Sequence, residues 1–173
     1  PHLQAIQEHG LKLQMNDGTE YVAHDVKATQ NMHDVGPQDL VILGLKAHQI
    51  EPIAEDMRAL FGPDTMVLTT QNGIPWWYFQ KHGGDFEGQT LKTADPNGVL
   101  AAHIEADRLI GCIAYPAAEI ASPGVIKHIE GTRFPVGELD GSESERVKQV
   151  SELLIAAGFK SPILPDIRSE MWL

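Results

Sequence analysis

Lys46 and Asn72 are the two side chains whose placement suggests chemistry. Each comes after a short apolar run, VILGL before the lysine and MVLTTQ before the asparagine. An ammonium at a strand end could reach a phosphate or another polar group of a cofactor. A carboxamide offers a donor and an acceptor together, which suits a carboxamide or a carboxylate and carbonyl pair. Each residue also has a plainer reading. A lone lysine after a strand is ordinarily solvated, and Asn72-Gly73 between apolar runs is the usual sign of a tight hairpin turn. The hairpin is disfavoured by the next six residues, IPWWYF, which do not make an alternating strand of matching length and include Pro75, a residue suited to the first turn of a helix. Asn72 is therefore expected at a strand-to-helix corner. Trp76, Trp77, Tyr78 and Phe79 could wall a ligand, although clustered aromatics more often serve as core or as a subunit contact.

Other constellations are sparse. The eight histidines show no His-x-x-x-His spacing and there is no Cys-x-x-Cys, so a metal site has little support. Cys112 sits in an apolar run and reads as an inert core thiol. Glu119 and Glu138 stand near Gly and Pro turns, where surface roles are expected. No G-x-G-x-x-G run occurs, so a dinucleotide pyrophosphate has no evident cradle within these residues.

The elements that must position these groups can be read from periodicity. Leu3 and Ile6 share a helical face that stops at Gly10, and Leu11, Leu13 and Met15 then alternate as a strand. Asn16-Asp17-Gly18 turns the chain into a returning arm at 21–26. Residues 41–45 are continuously apolar, as in a strand buried on both faces of a parallel sheet. Ile50, Ile53, Ala54, Met57, Leu60 and Phe61 recur at helical spacing up to Gly62-Pro63, and 66–70 reads as another buried strand. Strand, helix and strand together have the length of a βαβ unit. Residues 80–98 read as a long surface connection, and 108–115 as a further buried strand. The runs GVIKHIEG and TRFPVGELDG are expected as an antiparallel pair about Gly131-Thr132. Ser142 with Glu145 suggests a capping box for a helix whose face is Val147, Val150, Leu153, Leu154 and Ala157. A short strand at 163–164 and a helix capped by Asp166 complete the pattern, which is that of an α/β chain.

With 173 residues and 42% hydrophobic content, the chain suits one domain, or a domain plus a fragment of another. Its formal net charge of −11 repels phosphate backbones and anionic lipid, which argues against nucleic-acid and membrane partners. No run approaches the roughly 20 apolar residues of a membrane helix. A single cysteine favours a reducing compartment, so the cytoplasm is expected.

Four blocks in order, VILGLKAHQ, LTTQNGIP, GCIAYPAAEIASPGVIKH with the later FPVGE, and AAGFKSPILPDIRSEMWL, resemble the ketopantoate reductases, or 2-dehydropantoate 2-reductases. The resemblance implies a Rossmann-like, partly parallel sheet with helices on both faces and antiparallel strands near the C-terminal end, lacking the first βαβ elements. Residues 1–165 would be an incomplete NADP-binding domain, and 166–173 the start of a helix leading to an absent all-helical domain. Position by position, it assigns Lys46 to the cofactor, Asn72 to the nicotinamide region and the substrate, and Ala117 to a backbone position near the cofactor. The implied reaction is hydride transfer from NADPH to a 2-oxo acid. The proton-donating lysine is expected just beyond Leu173, so the chain alone is expected to be inactive, and a homodimer is compatible with the family. The alternatives are another β-hydroxyacid-dehydrogenase-like oxidoreductase, or a non-catalytic nucleotide-sensing or interaction module that uses the aromatic patch at 76–79 as its contact surface.

Overall fold

The structure, a computed structural model, describes residues 1–172. Helix α1 (His2–His9) ends at Gly10, whose φ of 80° and close approach to the Ala23 carbonyl leave no room for a side chain. Strands β1 (Leu11–Gln14) and β2 (Glu20–Ala23) form the expected hairpin, closed by the Met15 amide on the Thr19 carbonyl at 2.8 Å and by Asp17 accepting from the Thr19 amide. Beyond them lie β3 (Gln38–Leu43), β4 (Phe61–Thr69), α2 (Val99–His103), β5 (Leu109–Cys112), β6 (Ala117–Ser122), β7 (Val125–Glu130), β8 (Val136–Gly137), α3 (Glu145–Ala156) and α4 (Ile167–Glu170).

The strands divide between two four-stranded sheets, ordered β2-β1-β7-β6 and β3-β4-β5-β8. In the second, β3, β4 and β5 run parallel and β8 closes the edge antiparallel to β5. Its central strands are buried on both faces, as their unbroken apolar runs require. Val67 and Leu109 face Ile50, Met57, Trp76 and Trp77, whereas Leu68 and Ile110 face Val147, Val150 and Leu154 of α3. Burial of each such side chain contributes roughly 1.5–3 kcal/mol, and together they anchor the parallel strand ends that carry the site.

Several local expectations are corrected. Residues 41–45 do not form a strand buried on both faces. β3 is an edge strand, Ile42 is 52% exposed, and the strand has β4 as its sole neighbour among the described residues. The helix expected from Ile50 to Phe61 is a succession of 3-10 turns at Ala47–Gln49, Glu51–Ile53 and Asp56–Leu60, with Phe61 already in β4. Its apolar face is as expected, since Ile50, Ala54 and Met57 are buried, but Pro52, one turn after Ala47, cannot donate the hydrogen bond that a continuous α-helix running from Ala47 would need. The runs about Gly131-Thr132 are not partners. β7 pairs with β6 and β1, whereas β8 joins the other sheet. Helix α3 is capped by Ser144, which accepts from the Val147 amide at 3.2 Å, and not by Ser142, while Leu153 and Ala157 point outward. Within the long connection at 80–98, Asp95 is buried and caps α2 by accepting from the Leu100 and Ala101 amides.

Candidate active site

Parallel strands present their carboxyl ends to ligands, because connecting loops converge there. At the ends of β3 and β4 lies a cavity of about 560 Å³ lined by Gly44, Leu45, Lys46, Ala47, Thr70, Gln71, Asn72, Pro116 and Ala118. Lys46 and Asn72 thus meet in one cleft. Ala117 lies between two lining residues and opens β6, but its own side chain is not on the wall. Lys46 has an exposed side chain, and its amide donates to Gln49 Oε1 at 3.0 Å. Its ammonium makes no hydrogen bond or ion pair among the described residues.

Asn72 occupies a corner, although the segment after Pro75 is a series of turns and not a helix. Its Nδ2 donates to the Ala114 carbonyl at 3.0 Å, and its Oδ1 accepts from the Ala114 amide at 3.2 Å. The carboxamide therefore ties the end of β4 to the segment after β5. One N–H and one acceptor position of an exposed amide remain for a ligand.

Trp76 and Trp77 are core residues, 5% and 1% exposed. The turn they begin is held by Arg168, whose guanidinium donates to the carbonyls of Tyr78, Leu139 and Gln80 and lies 5.9 Å from the Trp77 ring. Burial pulls the Arg168 pKa down. A hollow of about 450 Å³ beside Tyr78, His82, Asp140 and Arg168 includes neither Lys46 nor Asn72, and its arginine is committed to those carbonyls.

On the other side of Asn72 is a smaller cavity of about 200 Å³, walled by Gly73, Ile113, Tyr115, Glu170 and Met171. Glu170, with 11% of its side chain exposed, accepts from Tyr115 Oη at 2.8 Å and from Arg133. The Arg133 hydrogen bond, and after it that of Tyr115, holds the Glu170 carboxyl below its ordinary 4.5. A depressed carboxyl contributes stability above the unfolded value and loses it as pH falls through the folded one. The stability advantage of the wild type over Glu170→Gln should therefore be full near neutrality and shrink below about pH 4.5, as urea titrations of both proteins across that range would show. An advantage constant with pH would contradict the pairing.

Glu138, read from sequence as a surface carboxylate, is 5% exposed and meets Arg146 through two hydrogen bonds, at 2.7 and 2.5 Å, with Ser144 Oγ adding a third. Glu119 does lie on the surface, 3.8 Å from Lys127. Burial pushes the Cys112 thiol up to about 12, in keeping with an inert core residue. Sequence reading passed over Gln71, Arg133, Arg168 and Glu170. For Gln71, adjacency to Asn72 at a strand end was the available signal. The others pair across long stretches of chain and left none. Among the described residues, no cluster of His, Cys, Asp or Glu could hold a metal, and no helix is long and apolar enough to cross a membrane. The lysine expected just beyond Leu173 lies outside the described residues.

Three parallel strands, with a cleft at the carboxyl ends of β3 and β4 that has Lys46 and Asn72 on its walls, give the chain a Rossmann-like fold. Residues 1–76 match the family model described as Ketopantoate reductase PanE/ApbA, so the resemblance seen in the sequence is borne out. The 2-dehydropantoate 2-reductase of Mesorhizobium japonicum is 46% identical over 171 residues, which are 99% of this chain and 52% of that protein. That of Halobacterium salinarum is 28% identical over 173 residues, 49% of its length. The chain spans about half the length of the curated relatives it matches. Among solved structures, a ketopantoate reductase from Ralstonia solanacearum MolK2 superposes with a TM-score of 0.92 at 35% identity, over 99% of this chain and 52% of the other. A D-mandelate dehydrogenase with NADH and anilino(oxo)acetate superposes with a TM-score of 0.72 at 21% identity, a likeness of fold alone.

Proposed function

We propose that this chain is the cofactor-binding part of an NADPH-dependent reductase acting on a 2-oxo acid such as 2-dehydropantoate, in the cytoplasm. The observation that carries this reading is the meeting of Lys46 and Asn72 in one cleft at the ends of β3 and β4. Residues 1–165 would serve as a partial NADP-binding domain, followed by the short helix α4, which Asp166 caps.

The cleft suits part of a nicotinamide dinucleotide. Its volume, its one uncommitted cation and its exposed carboxamide fit a polar, anionic cofactor, while no Gly-rich turn within these residues would hold the pyrophosphate. Lys46 would attract a cofactor phosphate as a point charge. Asn72 would use its free N–H and acceptor position to orient the nicotinamide end and the acid, while Ala114 holds the carboxamide in place. The backbone at Ala117 would pass beside the cofactor. When bound, NADPH supplies the hydride; the protein supplies position and electrostatics. The partner is a small acid, and self-association into a homodimer is compatible with the reading.

Incubating the intact protein that carries these residues with NADPH and 2-dehydropantoate should consume NADPH with formation of pantoate. Replacing Asn72 by alanine should lower kcat/KM by about one to two orders of magnitude, the worth of one or two oriented hydrogen bonds to a reacting group. NADPH consumption with another 2-oxo acid alone would assign a different substrate within the class. Absence of turnover with any of them would overturn the reading.

A further inference from the structure

The end of β3 stops at Leu43, and Lys46 comes only after Gly44 and Leu45. Nothing in the strand ladder fixes this short exit segment, since β3 pairs with β4 only as far as Leu43 opposite Thr69. Two side chains just past β4 do so instead. Thr70 Oγ1 donates to the Leu43 carbonyl at 2.8 Å, and Gln71 Nε2 donates to the carbonyls of Leu43 at 2.5 Å and Leu45 at 3.0 Å. Gln71 therefore uses both of its N–H groups to hold the backbone on the N-terminal side of Lys46. On the other side, the Lys46 amide is held by Gln49 Oε1, and its carbonyl accepts from the Gln49 amide at 2.8 Å. Lys46 is thus fixed at its backbone from both directions while its ammonium stays uncommitted. The next residue, Asn72, reaches the opposite way to Ala114, so adjacent side chains fasten the exits of β3 and β5 to the end of β4.

We infer that Gln71 is a positioning residue for Lys46, a latch that holds the lysine at the distance from Asn72 which the cofactor requires; this role in binding rests on the reductase reading. A cation carried on a loose exit would lose backbone as well as side-chain freedom on meeting its ligand, whereas on a fixed backbone only the side chain's freedom remains to be lost. The carboxamide is needed because the partners are two carbonyls. Glutamate has the same shape but as a carboxylate donates to neither, and leucine retains bulk without any donor.

The test compares the intact wild-type protein with Gln71→Leu and Gln71→Glu. Hydrogen exchange of the segment at 44–49 should speed up about tenfold or more in both variants, the factor expected when one to two net hydrogen bonds are lost. Exchange in the middle of α3 should be unchanged. The Kd for NADPH should rise about tenfold in Gln71→Leu, and this increment should vanish when Lys46→Ala is already present, because the latch has nothing left to position. Unchanged exchange at 44–49, equal acceleration throughout including α3, or an NADPH effect fully additive with that of Lys46→Ala would overturn the inference. If the wild type binds no NADPH, the reductase reading fails by itself. Local exchange then decides whether Gln71 holds the Lys46 exit: acceleration confined to 44–49 supports the latch, and its absence overturns it.

Discussion

Arg146→Ala is expected to lower unfolding stability by about 3–5 kcal/mol, the usual consequence of leaving a buried charge without its partner. Glu138 lies between β8 and α3, nearly inaccessible, and has Arg146 and Ser144 as its hydrogen-bond donors. Arg146 also donates to the Asp107 and Leu109 carbonyls, so it joins α3 to the start of β5. Removing the guanidinium therefore leaves a buried carboxylate and opens the α3 face at once. Replacing both members by apolar residues of similar size, Glu138→Leu with Arg146→Met, should cost much less than the single change, because no unpaired charge remains. Urea unfolding of the three proteins would decide it. A single variant that costs under about 1 kcal/mol would put the pair in the class of solvent-screened surface bridges.

The second large effect concerns the aromatic turn. Trp77 is 1% exposed and packs under α4, and its far ring atom is one of those a Cβ on Gly111 would strike, at 2.9 Å. Trp77→Ala should cost about 3–5 kcal/mol, as large-to-small core changes of this size do. The ring is what matters, since the indole N–H is buried without a protein acceptor. Gly111→Val, which drives a branched side chain into Trp77 and Ile167, should destabilise by at least the roughly 1–3 kcal/mol of an overpacked core. Because Trp77 belongs to the core and not to the cleft, Trp77→Phe should alter NADPH affinity little at temperatures where the fold is intact. Denaturation curves paired with a binding titration would separate the two properties. A large affinity loss without a stability loss would return the tryptophan to the ligand wall.

The apolar pattern carried much of this in advance. The hairpin at Asn16–Gly18, the parallel β3–β4 pair, the buried β5, the Val147, Val150 and Leu154 part of the α3 face and the Asp166 cap can all be read from spacing, because each depends on neighbours close in the chain or on burial alone. What could not be read depends on pairing over distance. Nothing local distinguishes β7 joined to β6 from β7 joined to β8, since both are antiparallel candidates of similar composition. Nor does the helical spacing of Ile50, Ala54 and Met57 show that the backbone takes the tighter 3-10 course around Pro52. At the site, Lys46 and Asn72 stood out because each comes directly after an apolar run. Gln71 did not, because its significance lies in two carbonyls at the exit of another strand. Glu138 was misplaced for a related reason: a carboxylate beside glycine and proline is usually solvated, and the arginine that makes its burial tolerable comes from the next helix.

The most direct test of the cofactor reading is a calorimetric titration of NADPH and NADH into the intact protein and its Lys46→Ala variant. The expected result is measurable NADPH binding that weakens by about 10- to 100-fold without the ammonium, as loss of a charge-assisted contact of roughly 1.5–3 kcal/mol requires. Failure of the wild type to bind either nucleotide, or an affinity indifferent to Lys46, would contradict it.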